Sequence, residues 1–277
     1  MHSETTAVQT MQEVSALLAV PNSRIIAGGT SVSALSDEDL HLVDISALEG
    51  LDGIKQKGTR IELGPLTNLQ TLGSSMLLKA YAPALAEAAA AVSPDTVREE
   101  GTLGGNLADA RIGDTAPALL ATGAKLVIKT DCDFREILID RFWPVSGGND
   151  LNYDEWITRI TIPVPKEPLW GDAFGRIGTW DAENTPAAAA AVRLTLNEKN
   201  TVTSVRGGLR LGAAHIRRMF PLEKALKNRP FTDENTEKAV KAMTNAVSGL
   251  IPEQDFADFL RGLLARAFSM ASERRSL

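Results

Sequence analysis

The stretch GTLGGNLADA, residues 101–110, places three glycines, an asparagine and an aspartate between two helix-like segments. A second glycine pair stands in AGGTS, residues 27–31, where the apolar run RIIA is typical of a short buried strand. Glycine lets successive backbone N–H groups point into one concavity and lets the chain pass close to a ligand. Together the two motifs predict a nest for a diphosphate, with Thr30, Ser31 and Asn106 as further donors.

Each motif by itself also fits a turn without a ligand, because Gly-Gly pairs are common after strands. Only the two motifs together favour a ligand site. Neither motif has the GxGxxG spacing of a Rossmann dinucleotide site. The chain also lacks a GxSxG elbow and a Walker A sequence, so we assign no catalytic nucleophile, acid or base.

Composition narrows the class of protein further. The chain has 277 residues, of which 44% are hydrophobic and 23% are charged, enough for a large core and two domains. Its formal net charge of −6 argues against a nucleic-acid partner. The first residues, MHSETTAVQT, do not resemble a signal peptide, and no apolar run approaches the roughly 18 residues of a membrane helix. We expect a cytoplasmic protein with no membrane partner.

Metal and disulfide chemistry have little support in the sequence. Cys132 is the single cysteine, so the chain can form no internal disulfide and cannot supply the four thiolates of an iron–sulfur cluster. His2, His41 and His215 are scattered, without a second ligand at metal spacing. We predict no metal site, and any redox reaction would need an organic carrier.

Strands and helices alternate along the first 163 residues and give way to a different pattern after three prolines at 163–168, where we place a domain boundary. Before that boundary we predict helices over 7–20 and 115–124, a helix-forming region over 69–92, and strands over 24–27, 41–46, 60–67 and 125–130. After it we predict helices over 222–226, 234–247 and 253–270. The last helix carries one apolar face, which favours packing on a core over binding a partner.

Three motifs carry a resemblance to a known family: AGGTS at 27–31, GTLGGNL at 101–107 and GDTAPALL at 113–120. In this order and separation they resemble the FAD-binding subunit of molybdenum-containing hydroxylases, the group that includes xanthine dehydrogenase and aerobic carbon monoxide dehydrogenase. The segments HLVDIS, IELGPLTNLQTL and PEQDFADFLRGLLARAF are similar as well. The resemblance thus covers nearly the whole chain.

The resemblance implies an α+β fold and FAD as cofactor. It implies a two-part, PCMH-like FAD-binding domain over 1–165, split near 55–60, and a C-terminal α+β domain over 170–277 with a small antiparallel sheet and helices. The positions that match the family's FAD site are Ala27, Gly28, Gly29, Thr30, Ser31, Thr102, Gly104, Gly105, Asn106 and Asp114. Arg176 is added as a positive charge near the reducible flavin ring.

Several of these positions have more than one interpretation. Asp114 either contacts the flavin or caps the helix that begins at Thr115, or does both. Trp180 either stacks on the flavin or belongs to the core or an interface. Glu99 and Glu100 depart from the family pattern and put two negative charges next to the second motif. These departures support a rival reading, a flavin-poor assembly subunit that keeps the fold without redox function.

The function implied by the resemblance is electron transfer inside a complex. Electrons would pass from iron–sulfur clusters through FAD to NAD+, oxygen or another acceptor. The expected partners are an iron–sulfur subunit and a molybdopterin-binding subunit, because one cysteine cannot hold a cluster.

Overall fold

The computed structural model describes residues 4–30, 40–109, 113–130, 132–144, 148–178, 188–212 and 215–276. These residues form three β-sheets with helices packed on them, which confirms the α+β class. The predicted site residue Ser31 and the aromatic residue Trp180 lie outside the described residues.

The first part of the chain contains a small parallel sheet. Its strands are β1 (Glu4–Ala7), β2 (Ser23–Ile26) and β3 (His41–Asp44), in the order β1-β3-β2, and helix α1 (Met11–Leu18) joins β1 to β2. The helix is shorter than the predicted 7–20 because Ala7 belongs to β1. Thr10 caps α1 and forms a capping box with Glu13.

A five-stranded antiparallel sheet forms the second part, in the order β4-β5-β8-β6-β7. Its strands are β4 (Ile54–Lys57), β5 (Arg60–Leu63), β6 (Lys125–Lys129), β7 (Phe134–Leu138) and β8 (Trp156–Pro163). Between β5 and β6 run six helices: α2 (Leu69–Ser74), α3 (Met76–Tyr81), α4 (Pro83–Ala90), α5 (Asp95–Glu100), α6 (Leu103–Ala108) and α7 (Thr115–Thr122). A 3-10 helix, Ile139–Arg141, follows β7.

The alanine-rich region 69–92 divides into α2, α3 and α4. Ser75 ends α2 and caps α3, its hydroxyl accepting from the backbone N–H of Leu78. Pro83 then occupies the first turn of α4, where a missing N–H costs no helical hydrogen bond. The end of α7 is as predicted, since Gly123 adopts a left-handed conformation with φ of 71°.

The C-terminal part is built on a four-stranded antiparallel sheet, in the order β12-β11-β10-β9. Its strands are β9 (Trp170–Ile177), β10 (Ala188–Leu196), β11 (Val202–Leu211) and β12 (His215–Arg218). Helices α8 (Phe220–Leu226), α9 (Asp233–Ala246) and α10 (Glu253–Glu273) follow, and a 3-10 helix spans Arg274–Ser276. The apolar face of α10 packs on this sheet, as the sequence predicted.

Buried polar contacts join the C-terminal sheet to the helices of the second part. The carboxylate of Asp172 accepts from the backbone N–H of Ala84 at 3.1 Å and from the guanidinium of Arg193 at 2.6 Å. Arg193 also donates to the carbonyl of Tyr81 at 2.7 Å. Among the described residues, no helix is long and apolar enough to cross a bilayer.

Candidate cofactor site

Both glycine motifs face a single cleft of about 740 Å³. The cleft runs between the end of β2 and the start of α6, and residues 149–157 close another side. Of the predicted site residues, seven line it: Ala27, Gly28, Gly29, Thr30, Thr102, Gly104 and Gly105. Two motifs more than 70 residues apart in sequence thus meet at one ligand-sized cavity.

The first motif is held against the chain segment that leads into the second. A Cβ atom on Gly28 would lie 1.8 Å from the carbonyl oxygen of Glu100, so only glycine fits at this crossing. Gly29 has a φ of 69° and open space where a side chain would stand. Within the described part of the chain, the backbone N–H groups of Gly28, Gly29 and Thr30 have no acceptor. This motif therefore keeps the backbone donors that the predicted nest requires, and the nest itself stays a prediction.

The second motif is not a nest, contrary to the sequence prediction. It forms the start of α6, capped by Thr102, whose hydroxyl accepts from the N–H of Gly105 at 3.2 Å. The N–H groups of Leu103 and Gly104 donate to the carbonyls of Thr67 and Pro65 at 2.9 and 2.8 Å. Its amides are thus used by the fold. The motif instead offers a wall without side chains along the cleft.

Asn106 lies behind this wall and caps the next helix. It is 4% exposed, and its Oδ1 accepts from the backbone N–H of Thr115 at 3.2 Å and from the Thr115 hydroxyl at 2.6 Å. The capping interpretation of Asp114 is therefore wrong, because that side chain makes no capping hydrogen bond. Because the Asn106 oxygen already accepts from the first amide of α7, the carboxylate of Asp114 is available to other partners.

The partners of Asp114 are two arginines of the C-terminal sheet. Its Oδ1 accepts from Arg210 at 2.7 Å and its Oδ2 from Arg176 at 3.1 Å. The side chain of Arg210 is 1% exposed and that of Arg176 is 33% exposed. Neither Asp114 nor Arg176 is among the described residues that line the cleft. The carboxylate thus anchors the C-terminal sheet beside the second motif.

Sequence reasoning missed Arg210, although its setting carries a signal. It stands between Leu209 and Leu211 in a strand whose residues are all buried from Gly207 to Leu211. A buried arginine is nearly always paired with a carboxylate. An arginine inside such an apolar run therefore predicts an acidic partner on another element.

Glu155 is a second missed residue, and it lines the cleft with a buried carboxylate. Arg135 binds it with two hydrogen bonds of 2.8 and 2.7 Å, and the N–H of Asn152 donates a third at 3.0 Å. Burial raises the pKa of the Glu155 carboxyl, but these hydrogen bonds outweigh burial and hold the pKa below its ordinary value. The carboxylate is ionised, and Arg135 is shared between it and Asp150, with which Arg135 forms a second ion pair at 2.9 Å.

Besides Glu155, the charged residues in the described lining of the cleft are Arg24 and Asp109. Among the described residues that line the cleft, Arg24 is the only cationic one. Glu99 and Glu100 are exposed at the end of α5, and neither lines the cleft. Within the described residues, no cluster of three or more acidic, histidine or cysteine side chains is placed to hold a metal.

Comparison with known proteins gives the family. Residues 2–165 match the model of the FAD binding domain in molybdopterin dehydrogenase. The chain belongs to this family. It is 28% identical over 230 residues to the carbon monoxide dehydrogenase medium chain of Hydrogenophaga pseudoflava, covering 80% of this chain and 78% of that one. It is 25% identical over 248 residues to the nicotine 6-hydroxylase medium subunit of Paenarthrobacter nicotinovorans, covering 88% and 86%.

The solved structures agree with this assignment. The chain superimposes on a chain of carbon monoxide dehydrogenase from Hydrogenophaga pseudoflava with a TM-score of 0.85 and 26% identity, covering 99% of this chain and 98% of that one. Its cofactor is FAD, and the protein is an oxidoreductase subunit of the molybdenum hydroxylase type. The residues present fit this cofactor. The amides of Gly28, Gly29 and Thr30, which have no acceptor among the described residues, suit a diphosphate, and Arg24 supplies a positive charge in the same cleft.

Proposed function

We propose that this chain is the electron-transferring FAD subunit of a molybdenum hydroxylase complex, with its iron–sulfur and molybdopterin centres on other chains. The observation that carries the proposal is the meeting of both glycine motifs at one cleft of about 740 Å³. When bound there, FAD would take electrons from iron–sulfur clusters and deliver them to NAD+ or another acceptor. We place the complex in the cytoplasm.

The chain's own residues would bind and orient the cofactor. The amides of Gly28, Gly29 and Thr30 would donate to the diphosphate, with Ala27 and Ser31 on either side of them. Thr102, Gly104 and Gly105 would let the cofactor approach the backbone of α6 without a side chain in between. Hydrogen bonds of the fold hold the amides of Gly104 and Gly105 before binding, which reduces the entropy that binding must offset.

Asn106, Asp114 and Arg176 would act from behind the cleft. Asn106 fixes α7 to α6, and Asp114 fixes Arg176 through a 3.1 Å ion pair. Arg176 would then hold its positive charge at a defined place beside the cofactor's reducible half, where it would favour an added negative charge. We propose Asn106 and Asp114 as positioning residues for this purpose.

The proposed partners follow from the number of metal ligands that this chain can supply. The single cysteine, Cys132, is exposed, and no metal cluster site exists within the described residues. The two relatives described above are named as a medium chain and a medium subunit, terms for one part of a larger assembly. An iron–sulfur chain and a molybdopterin-binding chain would supply the electrons.

The test is to purify the complex at native abundance and the recombinant chain alone. We expect the chain alone to contain FAD at close to one equivalent, identified by its visible spectrum and by release on denaturation. We expect the native complex to contain iron and molybdenum. A recombinant chain that binds no FAD when it is folded, and that still assembles with its partners, would support the rival assembly subunit instead. A chain with full substrate-dependent activity but without iron or molybdenum would contradict both.

A further inference from the structure

The five-stranded sheet has one face packed on helices and one face turned away from them. Residues that pair directly across neighbouring strands point to the same side of a sheet, and adjacent rows point to opposite sides. One row is apolar throughout and belongs to the core beneath the helices: Ile54, Leu63, Ile160, Leu126 and Ile137. The next row points the other way and is largely polar: Lys55, Glu62, Thr161, Lys125 and Leu138. This second side is the basic face.

The basic face carries an excess of positive charge. Along its five strands it presents six cations: Lys55, Lys57, Arg60, Lys125, Lys129 and Arg159. Two carboxylates, those of Glu62 and Glu136, stand among them. Six cations against two carboxylates leave an excess of four positive charges, in a chain whose formal net charge is −6. The positive charge of an acidic protein is therefore concentrated on one side of one sheet.

Glu62 holds three of these cations close together. Its carboxylate lies 2.7 Å from the amine of Lys57, 3.2 Å from the guanidinium of Arg60 and 3.5 Å from that of Arg159. One carboxylate balances at most one positive charge, so at least two of the three cations stay uncompensated. The fold thus keeps mutually repelling cations side by side, which favours the approach of further carboxylates.

Two exposed apolar side chains stand beside the cations on β7. Phe134 is 50% exposed and Leu138 is 39% exposed, and Leu138 lies directly across from Lys125. Within the described residues, β7 is also an edge strand of its sheet. Exposed apolar side chains bordered by charges are typical of protein–protein contact surfaces. The cofactor does not account for them, because neither they nor the six cations are among the described residues that line the cleft.

A second copy of this chain is a poor occupant of the basic face. It would bring the same excess of positive charge to the contact, and the two faces would repel each other. Antiparallel pairing of two β7 edges, centred on Glu136, would also set that carboxylate opposite its own copy. Like charges directly opposite each other are destabilising. The occupant therefore carries charge of the opposite sign.

We infer that the basic face is the docking surface for an acidic patch on another protein chain of the same complex. The inference rests on the proposed function, which supplies that complex. Phe134 and Leu138 favour a protein over a lipid surface, because they lie within a strand and not at the tip of a loop. Side chains in that position meet a flat protein surface, whereas binding to a bilayer buries apolar groups beneath the charged headgroups. The partner's carboxylates pair with the cations, and its apolar side chains cover Phe134 and Leu138.

Zero-length cross-linking of the native complex tests the contact directly. A carbodiimide joins a lysine amine to a carboxylate where the two groups already touch. We expect Lys55, Lys57 or Lys125 to be joined to aspartate or glutamate residues of another chain, identified by mass spectrometry. The internal pair of Lys125 and Glu136, 2.6 Å apart, shows that the reagent reaches this face. Lys241, which is exposed on α9, is the matched control and should form no link to another chain.

Paired substitutions then measure what the charges contribute to binding. Lys55→Gln with Lys125→Gln removes two positive charges from the basic face, and both side chains are exposed, so the variant should fold normally. Its affinity for the other chains of the complex should fall by roughly tenfold or more, with a weaker salt dependence than wild type. Lys199→Gln with Lys241→Gln makes the same change in net charge at exposed positions elsewhere and should leave the affinity unchanged. FAD content should be equal in both variants, because none of these lysines lines the described cleft.

The outcomes separate this inference from the proposed function. The inference requires both the links to another chain and the weaker binding of the double variant. In a complex that forms, the absence of either result refutes the docking surface and leaves the proposed function standing. Links between copies of this chain alone, or an equal loss of affinity in the control variant, would also refute it. Binding of the chain to phosphatidylglycerol vesicles in competition with the partner chains would assign the face to a lipid surface instead. A native preparation that contains no other chain would overturn the proposed function and the docking surface together.

Discussion

Replacement of Asp114 tests how the C-terminal sheet is anchored to the FAD-binding part. Asp114→Ala leaves Arg210, whose side chain is 1% exposed, without its carboxylate. The other bond of that guanidinium runs from Nη1 to the carbonyl of Gly212 at 2.6 Å, and its Nε already has no partner within the described residues. Removing one member of a buried pair costs about 3–5 kcal/mol because the other charge stays uncompensated. A capping role would cost only about 0.5–2 kcal/mol.

The assay is urea unfolding of the apo-protein, followed by circular dichroism and tryptophan fluorescence. Asp52→Ala removes an exposed carboxylate and should change the free energy of unfolding by less than about 0.5 kcal/mol. Arg210→Met combined with Asp114→Ala removes the unpaired charge and fills its volume, so the double variant should be more stable than Asp114→Ala alone. A loss below about 2 kcal/mol for Asp114→Ala, or a double variant no more stable than the single one, would refute this account of the anchor.

Three other expectations follow from the site. Gly105→Ala adds a methyl group on the cleft wall and should weaken FAD binding by roughly fivefold or more. The control Gly262→Ala, on the exposed side of α10, should leave FAD binding unchanged. Equal FAD affinities for the two variants in a titration would show that Gly105 is not part of the site. Asn106→Ala removes the cap of α7 and should lower the free energy of unfolding by about 0.5–2 kcal/mol, and an unchanged urea midpoint would contradict that role. Because the pKa of Glu155 is lowered in the folded protein, its ionisation stabilises the fold above the ordinary value of 4.5, and this contribution disappears as the pH falls through the lower folded value. The stability difference between wild type and Glu155→Gln should therefore shrink below about pH 4.5, and a constant difference would exclude the linkage.

Features set by neighbours in sequence were predictable, and those set by tertiary contacts were not. The strand before Gly28 and the left-handed end of α7 at Gly123 follow from local patterns. The capping of α7 did not, because Asp114 stands at the expected position while Asn106 reaches Thr115 only through the angle between α6 and α7. The helix at the second motif did have a local signal, because threonine is a common N-cap residue and the hydroxyl of Thr102 accepts from the N–H of Gly105, three residues later.

The residues that line the far end of the cleft had no comparable signal. Tyr153 and Glu155 come from the turn before β8, more than 120 residues after Arg24. Nothing in the spacing of these residues indicates that β8 passes beside β2. Their meeting depends on Trp156, which packs into the core of the first part with Val14 and Leu18 and so joins the two sheets.

The crossing of Gly28 over the carbonyl of Glu100 has a consequence for how the cleft responds to its ligand. The two walls touch backbone to backbone, without a side chain between them whose rotamer could widen or narrow the gap. The separation of the two walls at this crossing is then set by a contact between backbone atoms, and no change of side-chain rotamer can alter it. We therefore expect FAD to bind without reshaping this region, so that residues 28–30 are equally ordered in the apo-protein and in the bound protein. Amide hydrogen exchange at Gly29 and Thr30 should accordingly slow only through direct contact with the ligand, and not through a wider ordering of α5 and α6.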